Sequence, residues 1–109
     1  MPVQTPVRPS TSTTDLVRFL LARLDEDASY VKRLTRGRAS DPDADPTRLR
    51  AECEAKRQVI GTLQQQLVLR DQPFEKLIRH QAVHMLRALA LPYAEHAGYR
   101  KEWALSAPM

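Results

Sequence analysis

The chain reads as all-α: a three-helix up-down-up bundle with a folded-back aromatic C-terminal tail. Three observations predict this class. Only three of 109 residues are Gly, while Ala, Leu, Arg, Glu and Gln are abundant, a helix-favouring composition. No alternating run of β-branched residues competes with it. Apolar residues recur at three- and four-residue steps in three stretches, each bounded by a capping residue or a proline.

Residues 1–13 carry Pro2, Pro6 and Pro9 among Ser and Thr. That is too little apolar surface to offset the entropy of ordering, and a disordered N-terminal arm is expected. Thr13 or Thr14 then supplies an N-cap hydroxyl, with Asp15 in a first turn whose dipole favours an anion. Leu16, Val17, Leu20, Leu21, Leu24, Ala28, Val31 and Leu34 form one stripe, predicting a helix over 14–35, and Gly37 is its expected stop. Asp41-Pro42 and Asp45-Pro46 mark a turn-rich linker.

Asp45 before Pro46 is a helix-start signal, because the carboxylate accepts first-turn amides and proline at N1 loses no hydrogen bond. Leu49, Cys53, Lys56, Ile60, Leu63 and Leu67 then step as a heptad seam, predicting a helix over 46–70, about 37 Å long. Gly61 in its middle marks a bend or a close helix contact. Asp71-Gln72-Pro73 is read as the same start device, and Phe74, Leu77, Ile78, Gln81, Ala82, Met85, Leu86 and Leu89 carry a third stripe over 73–91, ended by Pro92. Two of three Tyr (Tyr93, Tyr99) and the only Trp (Trp103) follow. Aromatics so near a terminus are expected to be pinned across one end of the bundle. The helical domain is thus 14–105, with 106–109 a flexible end.

The charge is +4, from 17 cations and 13 anions, a mild excess that residues 1–40 and 72–109 carry and 41–71 do not. Dedicated polyanion binders concentrate charge more strongly. One cysteine, Cys53, excludes an intrachain disulfide and fits a reducing compartment. No secretory signal pattern opens the chain, and its apolar stretches are interrupted by Arg23, His84 and Arg87. A cytoplasmic protein without membrane association is expected.

Four blocks carry a resemblance: Leu16 to Asp27 (LVRFLLARLDED), Asp45 to Leu49 (DPTRL), Glu52 to Arg57 (ECEAKR) and Leu91 to Trp103 (LPYAEHAGYRKEW). Together they resemble a family of small actinobacterial and phage-associated proteins catalogued only as a domain of unknown function. The resemblance implies a bacterial protein and brings no activity, cofactor or catalytic residue with it. Many relatives have a longer segment, with a Gly-Pro-Trp turn and strand-like stretches, where this chain has only Thr35 to Ala44.

Three constellations invite a chemical reading. His80 and His84, at i and i+4, project from one helix face as metal ligands do. Gln81 stands where the zinc-protease helix places its glutamate, and a third ligand, His96 or Cys53, would have to come from the fold. Lys32, Arg33, Arg36 and Arg38 form the densest basic cluster, which complements a helix C-terminus and is also a candidate phosphate-contacting patch. Asp25, Glu26 and Asp27 point about 100° apart on a helix and cannot converge on one atom.

The expected function is non-catalytic protein–protein association, as an accessory or regulatory factor acting on a partner or on a second copy. Leu49, Ile60, Leu63 and Leu67 of the seam are expected as the contact, joined by Tyr93, Tyr99 and Trp103 if exposed. Nucleic-acid binding through residues 32–38 and metal binding through His80 and His84 are the alternatives. No enzyme activity and no cofactor are expected.

Overall fold

The computed structural model describes residues 9–105. Three helices, α1 (Thr11–Thr35), α2 (Pro46–Leu67) and α3 (Glu75–Ala90), are followed by single 3-10 turns at Leu91–Tyr93 and Lys101–Trp103. There is no strand among the described residues. The expected all-α bundle of three mutually packed helices is what the chain forms.

The first helix starts before the expected residue 14. Ser10 is the N-cap, its hydroxyl accepting the Thr13 amide at 3.1 Å and donating to the Thr13 hydroxyl at 3.0 Å. Thr13 is buried and faces the bundle, so it belongs to the helix and not to its cap. Pro9 to Thr13 therefore lie outside any arm, and the expectations for 1–8 and 106–109 fall outside the described residues. At the other end Gly37 takes the left-handed conformation (φ +70°), and the Arg38 amide donates to the Arg33 carbonyl at 2.8 Å. This 6→1 closure is a Schellman motif, and it confirms Gly37 as the stop.

Asp45 caps α2 as expected, its Oδ1 accepting the amides of Thr47 and Arg48. The helix stops at Leu67, short of residue 70, as the Val68 and Leu69 amides tighten onto the Gln65 and Gln66 carbonyls. Arg79 of α3 donates to the Leu69 carbonyl at 2.6 Å, giving this end a side-chain partner. No space is contested at Gly61, where an added Cβ would meet nothing within 4 Å.

The start device does not repeat at α3. Asp71 lies two residues before Pro73, not one, and adopts φ +55°, so its carboxylate caps nothing. Phe74 is the N-cap residue, itself at φ +60° with no side-chain bond, and α3 begins at Glu75. Two non-glycine residues in the left-handed region each cost on the order of 1–2 kcal/mol. The loop holds them because Glu75 and Ile78 donate to the Gln72 and Phe74 carbonyls.

The core is one cluster. Leu16, Val17, Phe19, Leu20 and Leu24 of α1 meet Ile60, Leu63 and Leu67 of α2 and Ala82, Leu86 and Ala90 of α3, with Trp103 of the tail. Buried alanines in the middle of α3 (Ala82) and at its end (Ala90) leave room for close packing, while Leu86, fully buried, fills the volume between them. The tail does not cross one end. It descends along α1 from the level of Asp27, where Tyr93 docks, to Ser12, where Trp103 docks.

Candidate functional site

Three places bring chemistry-bearing residues together. The first is the clasp between tail and α1. Phe19, Arg23 and Asp27, at i, i+4 and i+8, share one face of α1. Phe19 lies at its centre, with ring centroids of Tyr93, His96, Tyr99 and Trp103 at 6.3, 5.5, 6.1 and 5.2 Å, mostly edge-on. The Trp103 indole N–H donates to the Ser12 hydroxyl and carbonyl at 3.2 and 3.3 Å. His96 Nδ1 accepts from the Gly98 amide at 2.8 Å and from Arg23, whose guanidinium has only donors, at 3.0 Å. The Tyr93 hydroxyl donates to Asp27 at 2.6 Å, and burial first, then this bond, raises its pKa well above the ordinary phenol range. Trp103, His96 and Tyr93 of the tail each bond to α1, and Arg23 is shared between His96 and Glu26, which makes the clasp a structural lock.

The second place is a small cleft between α1 and α2, lined by Asp27, Tyr30, Val31, Leu49, Glu52, Cys53 and Lys56. Burial and then the Asp27 carboxylate push the Cys53 thiol up, away from nucleophilic thiolate character. The carboxylates of α1 have gone to separate partners as their spacing demands: Asp25 to Arg57, Glu26 to Arg23, Asp27 to Tyr93.

The third is the basic tip. Lys32, Arg33, Arg36 and Arg38 are all exposed, and among the described residues none of them is in an ion pair. Arg50 of α2 joins them, reaching the Thr35 hydroxyl at 3.5 Å. Sequence reasoning missed Arg50 because only the helix pairing brings it near. Of the nearby carboxylates, Asp41 accepts from the Tyr30 hydroxyl and the Asp43 amide and Asp45 caps α2, while Arg33 lies over the Tyr30 ring at 5.7 Å. His80 and His84 are both exposed on α3, but neither His96 nor Cys53 joins them. No group of three or more His, Cys, Asp or Glu among the described residues could hold a metal ion.

The residues expected to form a partner contact require correction. Ile60, Leu63 and Leu67 are 1–4 % exposed and Trp103 is 2 % exposed, all inside the chain's own core. Leu49 is half-buried, and Tyr93 and Tyr99 pack against the core. A heptad seam reads equally as an inner or an outer contact, and here three antiparallel helices use it internally.

What remains open is the opposite side of α2 and α3. Among the described residues the exposed large apolar side chains are Val59, Val68, Phe74, Leu77, Met85 and Leu91; α1 contributes none of them, and Val68 lines a separate groove with Val17 and Leu21 of α1. Phe74 is 78 % exposed, Leu77 53 % and Met85 48 %. Val59, Thr62, Gln66 and Met85 line a groove between the two helices. Around it lie Ala55, Gln81, His84 and Ala88, a surface that holds no Asp, Glu, Lys or Arg from Ala55 to the end of α2 but carries the His84 imidazole on the outward side of α3. The outward side of α1, by contrast, presents Arg18, Asp25, Glu26, Lys32, Arg33 and Arg36. The absence of charge at Ala55, Gln58, Val59, Thr62 and Gln66 is the signal in the sequence that marked this second face.

No helix among the described residues is long and apolar enough to cross a membrane. No curated protein and no solved structure matches the chain. A family model does, over residues 13–105, a span running from the first turn of α1 through the tail that locks onto it. The chain therefore belongs to the family of unknown function DUF6221.

Proposed function

We propose that this protein works without catalysis, by protein–protein association through the outward face of α2 and α3. The observation that carries the reading is the grouping of exposed Val59, Leu77 and Met85 on sides of α2 and α3 that hold no Asp, Glu, Lys or Arg. Solvated helix faces of small proteins carry charged residues, as α1 does, and a contiguous apolar face marks a contact surface. Phe74 adds weight: an aromatic ring held in water on a left-handed backbone costs stability in the isolated chain and returns it when covered.

The test is a photo-crosslinking amino acid placed at Leu77, with Ser29 on the outward side of α1 as the reference position, in full-length protein inside the producing cell. Association through this face gives a covalent adduct from position 77 and none from 29. No adduct from 77, or equal adducts from both, refutes the reading.

A second reading has its own observation in the basic tip, where five exposed cations gather and none of them is in an ion pair among the described residues, so they can face an anionic nucleic-acid backbone. It predicts retention on single- or double-stranded DNA that weakens with salt and is lost on replacing Arg33, Arg36 and Arg38 with Ala. Absence of retention at low salt ends it.

A further inference from the structure

We infer that the partner of the basic tip is double-stranded DNA, held through its phosphates by one edge of the paired ends of α1 and α2. The inference rests on the nucleic-acid reading above and names the form of nucleic acid that the tip takes.

The first argument is that cations and carboxylates part to opposite sides of this end. Tyr30 and Lys32 of α1 lie about 200° apart around the helix axis, as do Arg48 and Arg50 of α2. Asp41 accepts from the Tyr30 hydroxyl, and Asp43, Asp45 and Glu52 line one small recess with Arg48, which pairs with Glu52 at 3.0 Å. The carboxylates therefore gather on the side of Tyr30 and Arg48. On the other side Arg50 reaches the Thr35 hydroxyl at 3.5 Å, next to Arg36, and Lys32 shares a face with Arg36 one turn away. About two turns further along the same two faces, Asp25 of α1 and Arg57 of α2 form an ion pair, which makes the faces one edge. Glu54, one turn from Arg50, accepts from the Gln58 amide at 3.0 Å. Lys32, Arg36 and Arg50 thus form a basic edge that ends at the Arg57 and Asp25 pair, with Arg33 and Arg38 beside it.

The second argument chooses between forms of nucleic acid. A single strand is held by rings on which its bases stack, in addition to charge. Tyr30 is half-buried, its hydroxyl is bonded to Asp41, and the Arg33 guanidinium lies over its ring at 5.7 Å. The tail's rings, Tyr93 nearest, are packed around Phe19. Phe74 lies beyond the far end of α2, whose 22 residues span about 33 Å. With no stacking surface on offer the edge binds by charge alone, and charge favours the denser polyanion. A duplex carries one phosphate per about 1.7 Å of its axis and a strand about half as many.

The experiment is fluorescence anisotropy of a labelled duplex of about 20 base pairs, and of one of its strands alone, titrated with the full chain between about 50 and 200 mM salt. Binding to the duplex should be about fivefold tighter or more, and three to five phosphate contacts give a slope of log affinity against log salt between about −2.7 and −4.5. Lys32→Gln and Arg50→Gln should each weaken duplex binding about threefold at the lowest salt and reduce the slope by about 0.9. Arg48→Gln removes the same charge from the opposite side and should change neither. All three side chains are exposed, so helical circular dichroism should be unchanged in each variant. Equal losses from the three variants, or duplex binding indifferent to Lys32 and Arg50, overturn the inference. A single strand bound as tightly as the duplex overturns the duplex alone and leaves the nucleic-acid reading standing, whereas no binding to either at the lowest salt overturns both.

Discussion

Removing the Trp103 indole should release the tail and with it a large fraction of the total stability. The side chain is 2 % exposed, lies 5.2 Å from the Phe19 ring and 5.8 Å from the Tyr99 ring, and donates to Ser12. Truncating a buried aromatic of this size to Ala costs about 3–5 kcal/mol. A domain of this length has roughly 5–15 kcal/mol in all. The loss spreads, because Phe19 keeps three of its four ring neighbours only while the tail is pinned. Trp103→Ala is therefore expected to lower the thermal midpoint by about 15 °C or more, read by circular dichroism of the helices. Trp103→Phe keeps most of the ring and forfeits the N–H bonds, so it should fall between, at about 1–2 kcal/mol. An unchanged midpoint for Trp103→Ala would show that the tail is not part of the cooperative fold and would refute the description of the clasp.

Three further outcomes follow from the geometry. Gly61→Ala should raise stability by about 1 kcal/mol, since the new methyl enters open space inside a helix; a loss in urea titration would mean that the site is not an unobstructed helical position. Ser10→Ala should lower stability by about 1 kcal/mol in the same titration, whereas Thr14→Ala should change it little; the reverse order would move the N-cap to where composition alone suggested it. Tyr93 keeps its proton in the fold after the unfolded chain has lost its own, so the stability tied to it is complete below about pH 10 and declines as pH rises beyond that. Tyr93→Phe should lose less on going from neutral to alkaline pH than the wild type, and parallel losses would contradict the Asp27 bond.

The three helices were legible because each stripe and two of the terminal signals, Asp45-Pro46 and Gly37, act locally. The third signal misled: Asp71-Gln72-Pro73 has the residues of a cap, but its spacing puts the carboxylate out of reach, and the loop is set by tertiary contacts such as Arg79 to Leu69. The tail's docking was legible and its direction was not, since Tyr93 meets Asp27 and Trp103 meets Ser12 only after α3 has returned along α1. The residues expected at a contact proved to be core for a similar reason. Periodicity finds the strongest apolar stripe, and the strongest stripe is the one a small domain uses for itself. The exposed apolar face is written in a weaker pattern, the run of residues other than Asp, Glu, Lys and Arg on the outward sides of α2 and α3.

The most direct measurement of that face is the relaxation of individual methyl resonances by a soluble paramagnetic agent, with the native partner present. In the single chain Leu77 and Met85 are 53 % and 48 % exposed and Val59 40 %. Their methyls should be shielded far beyond what those exposures imply, while Ala22 and Thr35 on the outward side of α1 relax as fully exposed groups. Methyls at Leu77, Met85 and Val59 that relax in proportion to their exposure, at every concentration and with the native partner present, would contradict the account.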